Sequence, residues 1–173
     1  MDYGGLAAAT EVLAELEAHD PGAVVECLKA LKHTQNGQVL LPTDPRAAIA
    51  PLERAHKTFA QIPAARLLQG NCACDLAAAY GQIEQYARAA DYAREAISLL
   101  SGVSRFAISE GAAHLTLGIC LHRTGDPVGA RTCFNLARRI FREAPEGAQY
   151  IPVVDQNEAL IGTGKRWWQF WKS

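Results

Sequence analysis

Asp44-Pro45, Ala48, Leu52, Ala55 and Phe59 return 82 residues later as Asp126-Pro127, Ala130, Phe134, Ala137 and Phe141. Midway stands a weaker copy, Ala89, Ala93, Ala96 and Leu100, so the register advances by 41 from 48 to 89 and by 41 again from 89 to 130. A fixed period of roughly 20–50 residues is the signature of stacked repeats, in which no unit can cover its own apolar face and its neighbours do so. Such stacks present an extended surface to a partner and seldom carry chemistry.

Within each copy the apolar residues recur at helical spacing. The first predicted helix covers 6–18 through Leu6, Val12, Leu13 and Leu16, and is closed by His19-Asp20-Pro21-Gly22. Val24, Leu28 and Leu31 mark a second, with a stop expected at Asn36-Gly37 and an apolar connector at Val39-Leu40-Leu41-Pro42. Asp44 and Asp126 each stand where a cap accepts from the first turn, and Pro45 and Pro127 take the first helical position, where a missing N–H costs nothing. Pro51 fits a helix interior badly, so that helix is expected either to kink there or to begin near Ala50. Further helices are predicted over 63–84, 86–100, 106–123, 127–143 and 151–161, and no segment alternates as a strand does. The expectation is an all-α chain: an α-solenoid of antiparallel helix pairs with about three repeats and a terminal capping helix. N-terminal helices and a connector would fill 1–43, the repeat domain 44–162 and a basic aromatic tail 163–173.

The third unit carries Leu117-Gly118, Leu121, Gly125-Asp126, Ala130, Phe134 and Ala137, and the second carries Leu76-Ala77, Tyr80, Ala89 and Ala96. This resembles the tetratricopeptide repeat, with Leu-Gly and a large residue on the first helix and Ala, Phe and Ala on the second. The period of 41 exceeds that family's usual 34 or so and is similar to the long-helix repeats of kinesin light chains. The first unit departs from the pattern at Gln35-Asn36-Gly37, and His114 stands where the family often has Trp. The resemblance implies a concave face lined by the first helix of each unit: Asn71, Cys74, Ala78, Gln82, Leu115, Ile119, His122, Arg123, Gln156 and Leu160. It implies a non-enzymatic adaptor or regulatory subunit that binds an extended or helical segment of another protein. With Arg123 alone among mostly apolar and neutral groups, a carboxylate clamp is disfavoured and a ligand burying apolar side chains is expected. The competing expectation is that these residues contact the N-terminal helices or the chain's own tail.

All three tryptophans fall in one run, Lys165, Arg166, Trp167, Trp168, Gln169, Phe170, Trp171 and Lys172. Trp is the residue most enriched at binding hot spots, and each such side chain gains on the order of 1.5–3 kcal/mol when buried. Several readings stay open. The tail could cap the stack, dock into another protein or a neighbouring copy to form a homo-oligomer, or attach to a membrane surface, where Trp and Lys/Arg are favoured. A net charge of -1 gives no pull toward nucleic acid.

No catalytic set, metal site or cofactor motif is found. Cys72 and Cys74 are two apart on a helix and so point to different sides, and no second close pair completes four ligands. Cys120 and Cys133 read as core, Cys27 and His33 lack an orienting acid, and Gly162-Thr163-Gly164-Lys165 lacks the rest of a phosphate loop. Five cysteines at irregular spacing are an odd set for a disulfide framework, which points to reduced thiols and a cytoplasmic setting. No signal peptide is visible, and no run reaches the roughly 18 apolar residues of a membrane span.

Overall fold

The computed structural model describes residues 3–161 of the 173. Among them are eight helices and no strand: α1 Tyr3–His19, α2 Pro21–Leu40, α3 Pro45–Phe59, α4 Arg66–Gln82, α5 Tyr86–Leu100, α6 Ala107–Arg123, α7 Pro127–Glu143 and α8 Ile151–Ala159. Short 3-10 turns at Pro63–Ala65, Ser104–Phe106 and Gly147–Tyr150 lead into α4, α6 and α8. The helices pack against their neighbours in sequence order, most extensively α2 on α3, α4 on α5 and α6 on α7, an arrangement compatible with an α-solenoid. The tail residues Lys165, Arg166, Trp167, Trp168, Phe170, Trp171 and Lys172 lie outside the described residues.

The starts of the helices follow from side-chain chemistry. Asp44 Oδ1 accepts from the backbone N–H of Ala47 at 3.0 Å, and Asp126 Oδ1 from that of Gly129 at 2.8 Å. Asp20 does the same to Ala23 at 3.3 Å, with Pro21 as the next residue. The Asp-Pro device therefore opens α2 as well, and His19-Asp20-Pro21-Gly22 is as much a start as a stop. Each cap is worth about 1 kcal/mol. The three-residue turns closing the last two pairs share a left-handed residue: Gly125 at φ 92° and, 41 positions earlier, Glu84 at φ 63°. Gly takes this conformation without steric cost, and Glu does not.

One expectation is overturned here, and one of two alternatives is removed. Helix α2 does not stop at Asn36-Gly37 but continues to Leu40. Gly37 is buried inside it, where a side chain would run into Leu52 of α3. Helix α3 begins at Pro45 and passes through Pro51, so its start is not displaced to Ala50.

Two rows of small residues set the spacing within pairs. In the third unit, a Cβ built on Gly118 would stand 2.6 Å from Cε1 of Phe134 and 3.2 Å from the carbonyl oxygen of Ala130. Gly37 holds the equivalent place in the first pair, facing Leu52 and Ala48. One register earlier, Gly70 would meet Leu100 at 2.8 Å and Gly111 would meet Phe141 at 2.5 Å. Absent side chains on the first helix make room for large ones on the second.

Two larger apolar cores result. One runs from α1 to Cys133 of α7 and includes Val12, Leu16, Leu52, Phe59, Leu76, Tyr80, Leu100 and Phe106. The other joins α6, α7 and α8 through Phe134, Phe141, Val154 and Leu160. Helix α1 leaves the repeat order: besides α2 it touches α4 and the turns that lead into α4 and α6. Arg105, in the second of those turns, donates to both carboxylate oxygens of Glu11 at 2.6 and 2.7 Å. The helix lies across the starts of α4 and α6.

Candidate functional site

The surface that α1 leaves open holds a cavity of about 470 Å³. Gln38 of α2, Asn71 and Asp75 of α4, and Ile108 and Ser109 of α6 form one side. Pro145, Gln149 and Tyr150, before and within the turn into α8, close the other. Among the described residues α2 thus contributes Gln38, α4 contributes two residues and α6 three, with Ala107 beside Ile108 and Ser109. The packing of α4 against α6 brings these residues side by side.

Polar and apolar groups share the walls, and the polar ones are tied together. Gln38 Nε2 donates to Asp75 Oδ2 at 2.9 Å, linking α2 to α4. Ser109 Oγ donates to Asn71 Oδ1 at 2.7 Å, and the thiol of Cys74 donates to the carbonyl oxygen of Ser109 at 3.3 Å, linking α4 to α6. Tyr150 is 37% exposed and stacks on buried Phe141 with ring centroids 5.1 Å apart. Its backing is rigid while part of its surface stays available. Asp75 and Glu146 place carboxylates at the cavity, whereas the guanidinium of Arg105 is already engaged by Glu11.

The residues expected to line a groove are distributed unevenly. Asn71 is in the cavity wall, and Cys74 lies behind it, buried. Ala78 and Gln82 follow on α4 and are half-buried. The Gln82 side-chain amide nitrogen is buried with no hydrogen-bond partner among the described residues. Leu115, Ile119 and Leu160 are core instead, packed with Phe134 and Val154, and offer a partner almost no surface. The reason is that α6 is covered on more than one side, so helical periodicity alone does not separate a groove face from a face sealed by α8. His122 and Arg123 are half-buried at the end of α6, and burial together with Arg123 holds the His122 imidazole below its usual pKa. Gln156 is exposed on α8. Beside Asn71 the cavity combines amides, hydroxyls and the carboxylates of Asp75 and Glu146 with the apolar groups of Ile108, Pro145 and Tyr150.

No family model, no curated protein and no solved structure matches the chain.

A second polar cluster, which the sequence reading missed, lies where α3, α4 and α5 meet. The Tyr80 hydroxyl donates to Glu53 Oε1 at 2.5 Å and accepts from Arg88 at 3.2 Å. Tyr80 stacks on Tyr92 at 5.6 Å with planes 5° apart, and His56 stands edge-on to Tyr92. The His56 ring nitrogen is 2.8 Å from Glu95 Oε1, which also accepts from Gln69 at 2.7 Å. Burial and the neighbouring Glu53 raise the pKa of both phenols. The cluster ties the first pair to the second. The only available signal was the failure of Glu53, His56, Tyr92 and Glu95 to repeat at the 41-residue period.

The cysteines are buried and act as packing groups. Cys72 donates to the carbonyl oxygen of Leu52 on α3, and Cys74 to Ser109 on α6, so the two thiols face different neighbours. Among the described residues no group of three His, Cys, Asp or Glu could hold a metal ion, and no helix is long and apolar enough to cross a membrane.

Proposed function

We propose that the protein is a non-enzymatic interaction module built from tetratricopeptide-type repeats, an adaptor or regulatory subunit that holds a segment of another protein in the cavity between α2, α4, α6 and the turn before α8. The observation that supports this most is the convergence of hydrogen-bonding side chains from successive repeats on one cavity: Gln38, Asn71, Asp75, Ser109 and Gln149. Amides and hydroxyls suit the main chain of an extended peptide, since both donors and acceptors are on offer. Tyr150, Ile108 and Pro145 supply the apolar contacts by which such a ligand is selected. The walls are pre-tied to one another, so little ordering cost remains to be met on binding.

The test is photo-crosslinking from inside the cavity. A photoreactive amino acid replacing Ile108 or Gln149 should give one set of crosslinked peptides from a discrete partner, identified by mass spectrometry. The same group at Lys57, exposed on α3, should not. Identical products from the two places would defeat the reading.

A further inference from the structure

We infer that the cavity is occupied, in the absence of a partner, by the chain's own segment 165–172, so that the basic aromatic tail is an intramolecular competitor for the binding site. This inference rests on the reading of the cavity as a peptide site and adds its regulation.

The first argument is reach. Tyr150 lines the cavity, and α8 leads the chain from it to Ala159, followed by a turn at Leu160 and Ile161. Nine residues at the helical rise displace the chain by about 14 Å. Residues 162–166 can span up to about 17 Å, which is enough to cover that distance in return. Trp167 is therefore the first tail aromatic that can stand beside Tyr150. The stretch from Trp167 to Lys172 can span up to about 17–20 Å, enough to cross two helix spacings of about 8–10 Å each. Its length therefore suffices to reach from the turn before α8, over α6, to Asn71 and Asp75 on α4.

The second argument is charge. Segment 162–173 contains Lys165, Arg166 and Lys172 and no acidic side chain. The cavity presents the carboxylates of Asp75 and Glu146, and among the described residues its one cationic lining residue, Arg105, is held by Glu11. A basic segment finds a net acidic site there, and the attraction gains strength from partial exclusion of water.

The third argument is chemistry. The exposed part of the Tyr150 ring, backed by Phe141, together with Ile108 and Pro145, offers an aromatic-and-aliphatic shelf beside hydrogen-bonding amides. Indoles need both an apolar face and an acceptor for their N–H, and Asp75, Asn71 and Gln149 supply acceptors at the shelf's edge.

The three tryptophans all lie in the tail, which makes indole fluorescence a probe of the tail alone. In the full-length protein, emission should be blue-shifted and acrylamide quenching several-fold weaker than in a free peptide of sequence 162–173. This protection should hold unchanged through a wide dilution series. Asp75→Lys and Tyr150→Ala, each checked for helicity by circular dichroism, should raise quenching toward the peptide's value. Reversing Lys165, Arg166 and Lys172 to Glu should do the same while leaving every described helix untouched. Peptide-like quenching in the full-length chain would overturn the inference. So would protection that fades on dilution, which would place the tail in a second copy, or protection indifferent to all of these changes. Because the readout needs no partner, such a failure leaves the cavity's binding role to the crosslinking experiment.

Discussion

Gly118 on α6 and Phe134 on α7 are so closely apposed that a Cβ on the glycine would stand 2.6 Å from the ring. Gly118→Ala gains up to about 1 kcal/mol of helix propensity but must displace a fully buried ring, and overpacking of this kind costs about 1–3 kcal/mol. The carbonyl of Ala130, 3.2 Å from the same point, blocks relief by a simple ring rotation. Net destabilisation of about 1–2 kcal/mol is expected. Gly22→Ala, with only an ordinary contact at 3.4 Å, should be neutral or stabilising. Urea denaturation of both variants decides the matter, and equal effects would refute the close-approach argument.

Tyr80→Phe removes the hydroxyl between Glu53 and Arg88 while preserving the stack on Tyr92. A loss of about 1 kcal/mol is expected, the ordinary worth of such a hydrogen bond. In the wild type, a spectrophotometric titration should show late-titrating phenols, since burial raises both Tyr80 and Tyr92 above 10. Tyr80→Phe should remove one of them.

Arg138 fastens α8 to α7. It donates to Asp155 through Nε and one terminal nitrogen, at 3.0 and 2.8 Å, and to Glu158 and Asn135. Asp155 is 56% exposed and Glu158 31%, so solvent screening limits the global cost of Arg138→Met to about 1 kcal/mol. The local effect is larger. Hydrogen exchange in Ile151–Ala159 should accelerate well beyond that in α4, and uniform acceleration across all helices would contradict the clamp.

His114 sits half-buried on α6, its Nδ1 without a hydrogen-bond partner among the described residues. Burial lowers its pKa below 6.5, against the opposing pull of Glu110 and with a small contribution from Arg139. The unfolded chain therefore binds the proton first. Stability is complete above about pH 6.5 and falls as pH drops toward the depressed folded value. His114→Gln should flatten that part of the stability–pH curve, measured as the wild-type minus variant difference in urea midpoints. An unchanged slope would assign the dependence elsewhere, for example to His122, which burial shifts the same way.

The five thiols should be silent toward an aromatic disulfide reagent in the native state and all react in denaturant. All five are buried, and burial raises Cys120 to about 12, leaving almost no thiolate at neutral pH. Rapid native reaction of even one would point to local opening.

How far the fold could be read depended on how each helix is covered. Helices α5 and α7 lie where periodicity put them, Tyr86–Leu100 and Pro127–Glu143. Each has one buried stripe, Ala89-Ala93-Ala96-Leu100 and Ala130-Phe134-Ala137-Phe141, and an exposed opposite face. Helix α4 is buried on several sides, from Leu68 to Gly81, and a helix apolar all round has no periodic signal of direction. That is why Leu115 and Ile119 on α6, and Leu160 on the chain following α8, were expected on an open face and are buried, while Asn71 reaches a cavity wall. Gly37 misled for a related reason. A glycine reads as a helix stop when backbone freedom is the only use imagined for it, and here its use is a missing side chain opposite Leu52.

The paired rows of small and large residues make the cavity's width a cumulative quantity. Its lining is drawn from α2, α4, α6 and the turn before α8, so the distance from Gln38 to Tyr150 adds up the spacings of every layer between them. A methyl group at Gly37 or Gly70, touching nothing in the cavity, would tilt one layer and change the aperture for all that follow. On the proposed reading of the cavity, ligand selectivity is in this sense written in the core, at positions no ligand reaches.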